Sequence, residues 1–559
     1  MSKPPKPALV TARSARRLPR VPLLLLCAAY LLPGLFGRDP WRNADLAAFG
    51  QMVAIAQGRT DWLAPTLGGM PADSALLPHW LGAVFIAAGS PWMAPELAAR
   101  LPFVALLALT LALVWYTTFH LARTEAAQPV PFAFGGEAQP VDYARAIADG
   151  AVLALMATLG LLQLGHETTP ELAQLCAISL LLYGLAAAPS QTWRARLAAA
   201  AALPLLAGSG APAIALAAGL AGAAVCRASR YAQVRAFATW VLGGTVAAVA
   251  LAWWLGTWRW RVTAWSGDAG AGIARQWLWF LWPSLPMALW TLWRWRRQLS
   301  FRHLSVPLVV AGAGSLANLA MAGNDRALML SLPGWAVLAA FALPTLKRGT
   351  SAAIDWFSMC FFSLCAITIW VIYTSMQTGL PAQPAINVGR LAPGFVQPFS
   401  ALELLLALAG TAAWIWLVRW RTGRHREALW KSLVLPAGGV ALCWLLLMTL
   451  WLPLLDYWRS PRPFVARLTP HVPAGACIAA PGLAMATVAA LEHFGRWRVD
   501  ASPDAAAGPC NVLLRVARGR PLPSPPAGWQ QVAEVKRPTD RAEVTLVYER
   551  ATARAPQRP

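Results

Sequence analysis

The chain is poor in charge, and poorer still in acid. Charged residues make up 13% of its 559 positions, against roughly a quarter in soluble globular domains, and 24 Asp and Glu stand against 47 Lys and Arg. No Walker loop, Gly-x-Gly-x-x-Gly fingerprint, zinc-ligand spacing or Gly-x-Ser-x-Gly elbow occurs in a usable context, so soluble nucleotide chemistry is not expected. No small-x-small cleavage site follows the first apolar stretch, where Leu31-Leu32-Pro33-Gly34-Leu35-Phe36 runs into Gly37-Arg38. That stretch reads as a retained helix rather than a cleaved signal. No internal repeat is visible, which weighs against a transporter built from inverted halves.

What fills the chain instead is apolar. Hydrophobic residues reach 57%, with 30 Trp, and runs such as Val21 to Phe36, Leu101 to Leu121, Ala236 to Leu255, Ile354 to Tyr373 and Val434 to Leu455 recur along it. Each is long enough to cross a hydrocarbon core of about 30 Å, the first only marginally. The expectation is an α-helical polytopic membrane protein of about 13 spans: the first two of these runs, then eleven near 148–165, 171–188, 196–209, 211–226, 236–256, 276–293, 305–321, 327–345, 354–374, 400–418 and 434–455.

A net charge of +23 would suggest nucleic acid in a soluble protein, but here its position gives it another meaning. Arg13, Arg16, Arg17 and Arg20 precede the first run, and Arg227/Arg230/Arg235, Arg294/Arg296/Arg297 and Arg419/Arg421 fall in alternate connections. This is the positive-inside pattern. It gives a multi-pass membrane protein with a basic cytoplasmic N-terminus (residues 1–20), a transmembrane region (21–455) and a first outer loop (37–100). Membrane lipids are the expected partners, and nucleic acid is not. This parity requires Leu76 to Ala88, about thirteen residues, to lie at the interface rather than cross.

From Asp456 the long apolar runs stop. Short strand patterns at Cys477–Ala480, Asn511–Val516, Gln530–Val535 and Val544–Tyr548, with a helical Ala484–Phe494 between the first two, predict a small C-terminal α/β domain over 456–559. The same parity places it on the outer side. Six cysteines lie in or beside apolar spans, where small apolar packing explains them. Only Cys477 and Cys510 lie in this domain, where an oxidising compartment would let them pair.

Ionised carboxylates beside a bilayer are expensive, yet the first loop holds Asp39, Asp45, Asp61 and Asp73. Asp45 is followed by Leu46, Phe49 and Val53, the spacing of an interfacial helix. Its carboxylate is expected at the polar rim of an apolar groove, where partial desolvation raises a pKa and suits a general base; the alternative is a helix N-cap. Asp73 carries the same ambiguity. A second outer loop reads Gly165-His166-Glu167-Thr168-Thr169-Pro170-Glu171, either a functional cavity or a solvated turn capped by Thr168 or Thr169. His166 and Glu167 could ligate a divalent metal, although two sequence neighbours make a weak site. Trp258-Arg259-Trp260-Arg261 is a basic outer loop that breaks the charge pattern. It would suit an anionic phosphate, or would anchor aromatic rings at the interface with snorkelling arginines. Asn324-Asp325-Arg326 makes a similar outer group.

Gly37-Arg38-Asp39-Pro40-Trp41 through Asp45, then Asp61-Trp62-Leu63-Ala64-Pro65, Arg100-Leu101-Pro102 and the segment Arg326 to Pro333 resemble the multi-pass glycosyltransferases of C-type fold. Within them the chain is similar to the bacterial branch of lipid A aminoarabinose transferases and relatives of the protein O-mannosyltransferases. The resemblance implies transfer of a sugar from a polyprenyl-phosphate donor to a lipid, glycan or protein acceptor. It also makes the membrane the bacterial inner membrane, with the first loop and the C-terminal domain periplasmic. The family's leading aspartate falls on Asp45 and its second-loop acid on Glu171 or Glu167. Arg42, Asp73, His166, Glu167, Arg259, Arg261 and Arg326 are the candidate substrate-binding residues, the last three on their outer placement alone. Two departures stand out: Asp45-Leu46 where many members have Asp-Glu, and Asp73-Ser74-Ala75-Leu76 where many have Glu-Lys-Pro-Pro. The lysine expected to hold the donor phosphate is therefore absent. A polar-lipid transporter or flippase, or a non-catalytic divergent member, are the alternatives.

Overall fold

The computed structural model describes residues 10–41, 43–72, 75–131, 135–264, 269–423, 428–519, 522–539 and 543–550. Among them, eight helices are long and apolar enough to cross a membrane: Pro95–Ala122, Pro170–Ala187, Ala232–Trp254, Arg302–Ala320, Asp325–Thr345, Arg348–Thr378, Ala401–Thr422 and Lys431–Leu450. The other expected spans are shorter or broken. Arg20–Leu31 has 12 residues before Pro33 and a left-handed Gly34 (φ 82°) turn the chain, so Leu32 to Phe36 is not helical. The 148–165 stretch divides at Thr158 into Pro140–Ala157 and Leu159–Leu164. The groups freed there are taken up by a neighbour, as they must be in an apolar interior: Leu159 N donates to the Trp282 carbonyl at 3.1 Å and the Thr158 hydroxyl meets that of Ser284 at 2.8 Å.

Pro140–Ala157 is the centre of the bundle, buried almost throughout and packed by Pro95–Ala122, Leu332–Ala340 and Lys431–Leu450. Its Ala144, Ala148, Gly150, Ala151 and Ala154 let neighbouring backbones approach closely; a Cβ at Gly150 would lie 2.4 Å from Leu343 Cδ1. The N-terminal stretch is anchored at a few points from Val10 onward, while Arg13, Arg16, Arg17 and Arg20 stay exposed. Val10 and Ala15 are buried, Leu18 N donates to Asp149 Oδ2 at 2.9 Å, and the Trp430 indole donates to the Arg16 carbonyl at 2.8 Å.

After the last span, Leu452–Arg459 and Arg462–Leu468 lead into a five-stranded sheet. Its order is Arg498–Asp500, Cys477–Ala479, Val512–Arg518, Glu543–Arg550, Trp529–Lys536. The first two pairings are parallel and the last two antiparallel. The short strand Arg498–Asp500 has no run of its own in the sequence, and exists by pairing with Cys477–Ala479. Met485–Phe494 covers one face with Val488 and Leu491 against Ile478, Val512, Leu514 and Val547. Cys477 and Cys510 are disulfide-bonded, their Cα atoms 4.8 Å apart.

This sheet domain lies directly on the first loop. Ala44–Ala56 is packed between Leu76–Gly89 and Met485–Phe494, with Leu46, Phe49 and Val53 all buried. The helix expected to lie half-exposed at an interface is therefore enclosed on nearly every side. Contact is backbone-close at Gly50, where a Cβ would lie 2.4 Å from Ala489 Cβ. Asp39 with Arg462 (2.6 Å), Glu96 with His493 (2.8 Å), and the ion pair of Arg59 with Glu492 tie the rim.

Candidate active site

The first and second loops meet at Asp45. Asp45 occupies the first turn of Ala44–Ala56, where the helix dipole favours a negative charge, and Oδ2 reaches back to accept the Trp41 backbone N–H at 3.1 Å. Oδ1 accepts both the N–H and the hydroxyl of Thr168, each at 2.7 Å. Arg38 Nη2 lies 3.7 Å from Oδ2 and donates to the His166 carbonyl at 2.6 Å. Asp45 is only 1% exposed, which differs from the expected rim position. Burial by itself would raise its carboxyl, but the charges of Arg38 and Arg100 and the two Thr168 bonds outweigh it and leave the pKa below the ordinary value. The expectation of a general base with a raised pKa is thus corrected: Asp45 is an ionised, fully coordinated carboxylate, and a weak base. The cap reading is corrected too, since Asn43 rather than Asp45 precedes the helix as its cap residue.

Glu167 continues the cluster. Its Oε2 is 2.5 Å from Arg326 Nη2 and its Oε1 accepts from Gln163 at 2.9 Å. Burial and the nearby Asp45 charge push the Glu167 carboxyl up, against the pull of Arg326. Arg326 also donates to Thr169 Oγ1 at 3.1 Å and faces Glu171 at 3.7 Å. The turn that carries it is capped by Asn324, whose side chain accepts from the N–H groups of Arg326 and Ala327. A residue distant in sequence thereby joins both acids of the second loop.

His166 is used up internally. Its Nδ1 faces the Leu162 carbonyl at 2.6 Å and its Nε2 the Tyr30 carbonyl at 2.8 Å, while burial, with Arg38 adding to it, lowers its pKa to about 4. Neutral at physiological pH, it carries a hydrogen on one nitrogen only. Each ring nitrogen is closed off by a backbone carbonyl, so neither faces space that a metal could enter, and among the described residues no three His, Cys, Asp or Glu side chains converge as a metal site.

Arg259 and Arg261 are exposed and form no salt bridge among the described residues. Their loop is fixed at its exit by Thr263 N donating to the Ala320 carbonyl at 2.9 Å, close in sequence to the Asn324 cap. No contact among the described residues joins them to Asp45 or Glu167. Arg42 and Asp73 lie outside the described residues.

Four participants were not given roles from sequence: Arg38, Arg100, Trp41 and Asp456. Arg38 is wholly buried, stacks at 4.8 Å from the Trp41 ring and balances Asp45; its signal in the sequence was an arginine a few residues ahead of Asp45. Asp456 accepts the Trp41 indole N–H at 2.8 Å from more than four hundred positions away. No local pattern announces that pairing.

A bundle of spans, two loops converging on a buried aspartate, and a C-terminal sheet domain laid over the first loop make up the C-type glycosyltransferase fold. Two solved structures share it: the crystal structures of ArnT from Cupriavidus metallidurans, bound to undecaprenyl phosphate and in the apo state. Each aligns with a TM-score of 0.61 over 94% of this chain and 97% of its own, at 13% identity. At that identity the likeness establishes the fold. No family model and no curated protein sequence matches the chain.

Proposed function

We propose that this protein is an integral inner-membrane glycosyltransferase that moves a sugar from a polyprenyl-phosphate donor to an acceptor hydroxyl on the periplasmic face. The observation that carries this reading is the junction of Asp45 with the second loop, within a fold shared along nearly the full length with ArnT, which is solved with undecaprenyl phosphate bound. A lipid-linked donor needs no nucleotide-binding motif, and none is present.

The residues divide the work as follows. Asp45, held ionised, fixes the first and second loops in register and supplies negative potential. Glu171, beginning the Pro170–Ala187 helix and partly exposed, is the carboxylate that orients the acceptor hydroxyl and takes its proton. Arg326 offsets the charge of the two second-loop acids. Arg259 and Arg261, exposed beside the bundle, serve the donor phosphate in place of the absent lysine, by charge-assisted hydrogen bonds to its oxygens. The acceptor is a lipid such as lipid A, a surface glycan, or a protein.

The test compares the masses of lipid A and surface glycans from cells with the protein, without it, and with Glu171→Gln or Asp45→Asn. A sugar-sized mass lost in the deletion and in both variants is expected. An unchanged profile in the deletion would overturn the enzyme reading. Loss in the deletion with full retention in both variants would instead remove these acids from the chemistry.

A further inference from the structure

Trp41 joins two carboxylates that come from opposite ends of the chain. Its backbone N–H donates to Asp45 Oδ2 at 3.1 Å and its indole N–H to Asp456 Oδ1 at 2.8 Å. Asp456 Oδ2 accepts the Asp39 N–H at 3.2 Å, so the Asp39–Asp45 turn is held from within by one aspartate and from outside by the other. The indole is 3% exposed, with the guanidinium carbons of Arg38 and Arg459 each 4.8 Å from its ring. Asp456 lies on Leu452–Arg459, the helix linking the last span to the sheet domain.

We infer that Asp456 is a positioning residue for Asp45, acting through Trp41 and Arg38, so that the entry helix of the sheet domain sets the geometry of the candidate site. The inference rests on the glycosyltransferase reading for its functional meaning, though not for its structural content. Two nitrogens of Arg38, Nε and Nη1, are buried without a hydrogen-bond partner, which leaves the guanidinium free to respond to a second charge near Trp41. An ionised Asp456 supplies that charge and strengthens its bond to the indole. A protonated Asp456 leaves Arg38 to Asp45 alone.

The charged groups around Asp456 fix where this change falls. From the first loop it faces Asp39 and Arg38; Arg100 of Pro95–Ala122 and Arg462 of the following helix feel its charge, and Glu96 with its partner His493 stands behind them. Burial dominates and, with Asp39 adding to it, pushes the Asp456 carboxyl up to about 7 against the Trp41 bond and Arg38. The turn holding Asp45 is thereby sensitive to proton concentration near neutrality.

The experiment measures hydrogen–deuterium exchange of peptides spanning 38–46 in the full-length protein in detergent, between pH 6 and 8 and corrected for intrinsic rates. Sugar transfer is followed across the same range. Wild-type protection is expected to change by about tenfold, the scale of one charge-assisted hydrogen bond, with transfer inflecting at the same pH. Asp456→Asn keeps an acceptor for the indole but cannot ionise, and should flatten both curves. Trp41→Phe keeps the ring between the arginines but lacks the N–H, and should flatten them as well. Asp456→Glu should restore an inflection. Flat wild-type protection, or an unaltered titration in Asp456→Asn, overturns the inference. Should protection titrate as expected while the wild type transfers no sugar at any pH, the positioning role stands and the glycosyltransferase reading fails.

Discussion

Thr168 gives both its backbone N–H and its hydroxyl to one oxygen of Asp45, each at 2.7 Å. One residue thus locks the second loop onto the first, and it does so with the two donors a threonine has to offer. The other Asp45 oxygen is occupied by Trp41 and faced by Arg38, so the carboxylate has its partners before any substrate arrives. That completeness argues for a structural and electrostatic role rather than for proton abstraction.

Replacing Asp45 by Asn leaves Arg38 buried without its counter-charge, at a cost of about 3–5 kcal/mol. Thermal unfolding in detergent should show the drop. The pH dependence follows from the lowered pKa: the stability Asp45 contributes is full above the ordinary carboxylate value of about 3.9 and is lost as pH falls through the lower folded value. The Asn variant should lack this acid-side loss.

Arg326→Gln should be more damaging than its position on a short turn suggests, because it strands the buried Glu167 carboxylate 2.5 Å away, again by about 3–5 kcal/mol. The double variant Glu167→Gln with Arg326→Gln should recover part of that loss. A double-mutant cycle by thermal unfolding measures the coupling; strict additivity would mean that the pair is not coupled.

Arg259→Gln and Arg261→Gln should leave the melting temperature unchanged, since both side chains are exposed. They should weaken binding of undecaprenyl phosphate by roughly tenfold each, the scale of a lost charge-assisted contact. Unchanged binding in both would remove this loop from the donor site.

Gly50→Val should loosen the sheet domain. The added Cβ would lie 2.4 Å from Ala489 Cβ and 3.2 Å from Ala489 Cα, and the overpacking should cost about 1–3 kcal/mol. Faster hydrogen exchange in Met485–Phe494, with the transmembrane helices unaffected, is the expected signature.

Cys477→Ser with Cys510→Ser should destabilise the sheet domain by about 2–5 kcal/mol. Limited proteolysis should then cut within 456–550 before it reaches the bundle. In the wild type, intact mass should rise by two hydrogens on reduction.

Much of the architecture was legible because its causes are local. Apolar runs of membrane length report spans wherever the chain is uninterrupted, as in Pro95–Ala122 or Lys431–Leu450, and short runs rich in Val and Leu from 512 and 544 onward report two strands of the sheet. The misreadings share another cause. Thr158 divides a run that looks continuous, and it can do so because Trp282 and Ser284 take up the freed groups. Ala44–Ala56 has the spacing of an interfacial helix, yet Met485–Phe494, more than four hundred residues later, covers its other side.

The same division holds at the candidate site. By itself the sequence determined that the chain is a polytopic membrane protein with a short sheet domain, and that Asp45 and the His166–Glu171 loop are the unusual polar segments, since burying charge in an apolar chain is costly enough to make such residues stand out. Only the tertiary structure decided what Asp45 is. Its protonation and its partners depend on Arg38, Arg100, Thr168 and, through Trp41, on Asp456, and electrostatic energy is set by distance in space and by exclusion of water, neither of which is written in the order of residues.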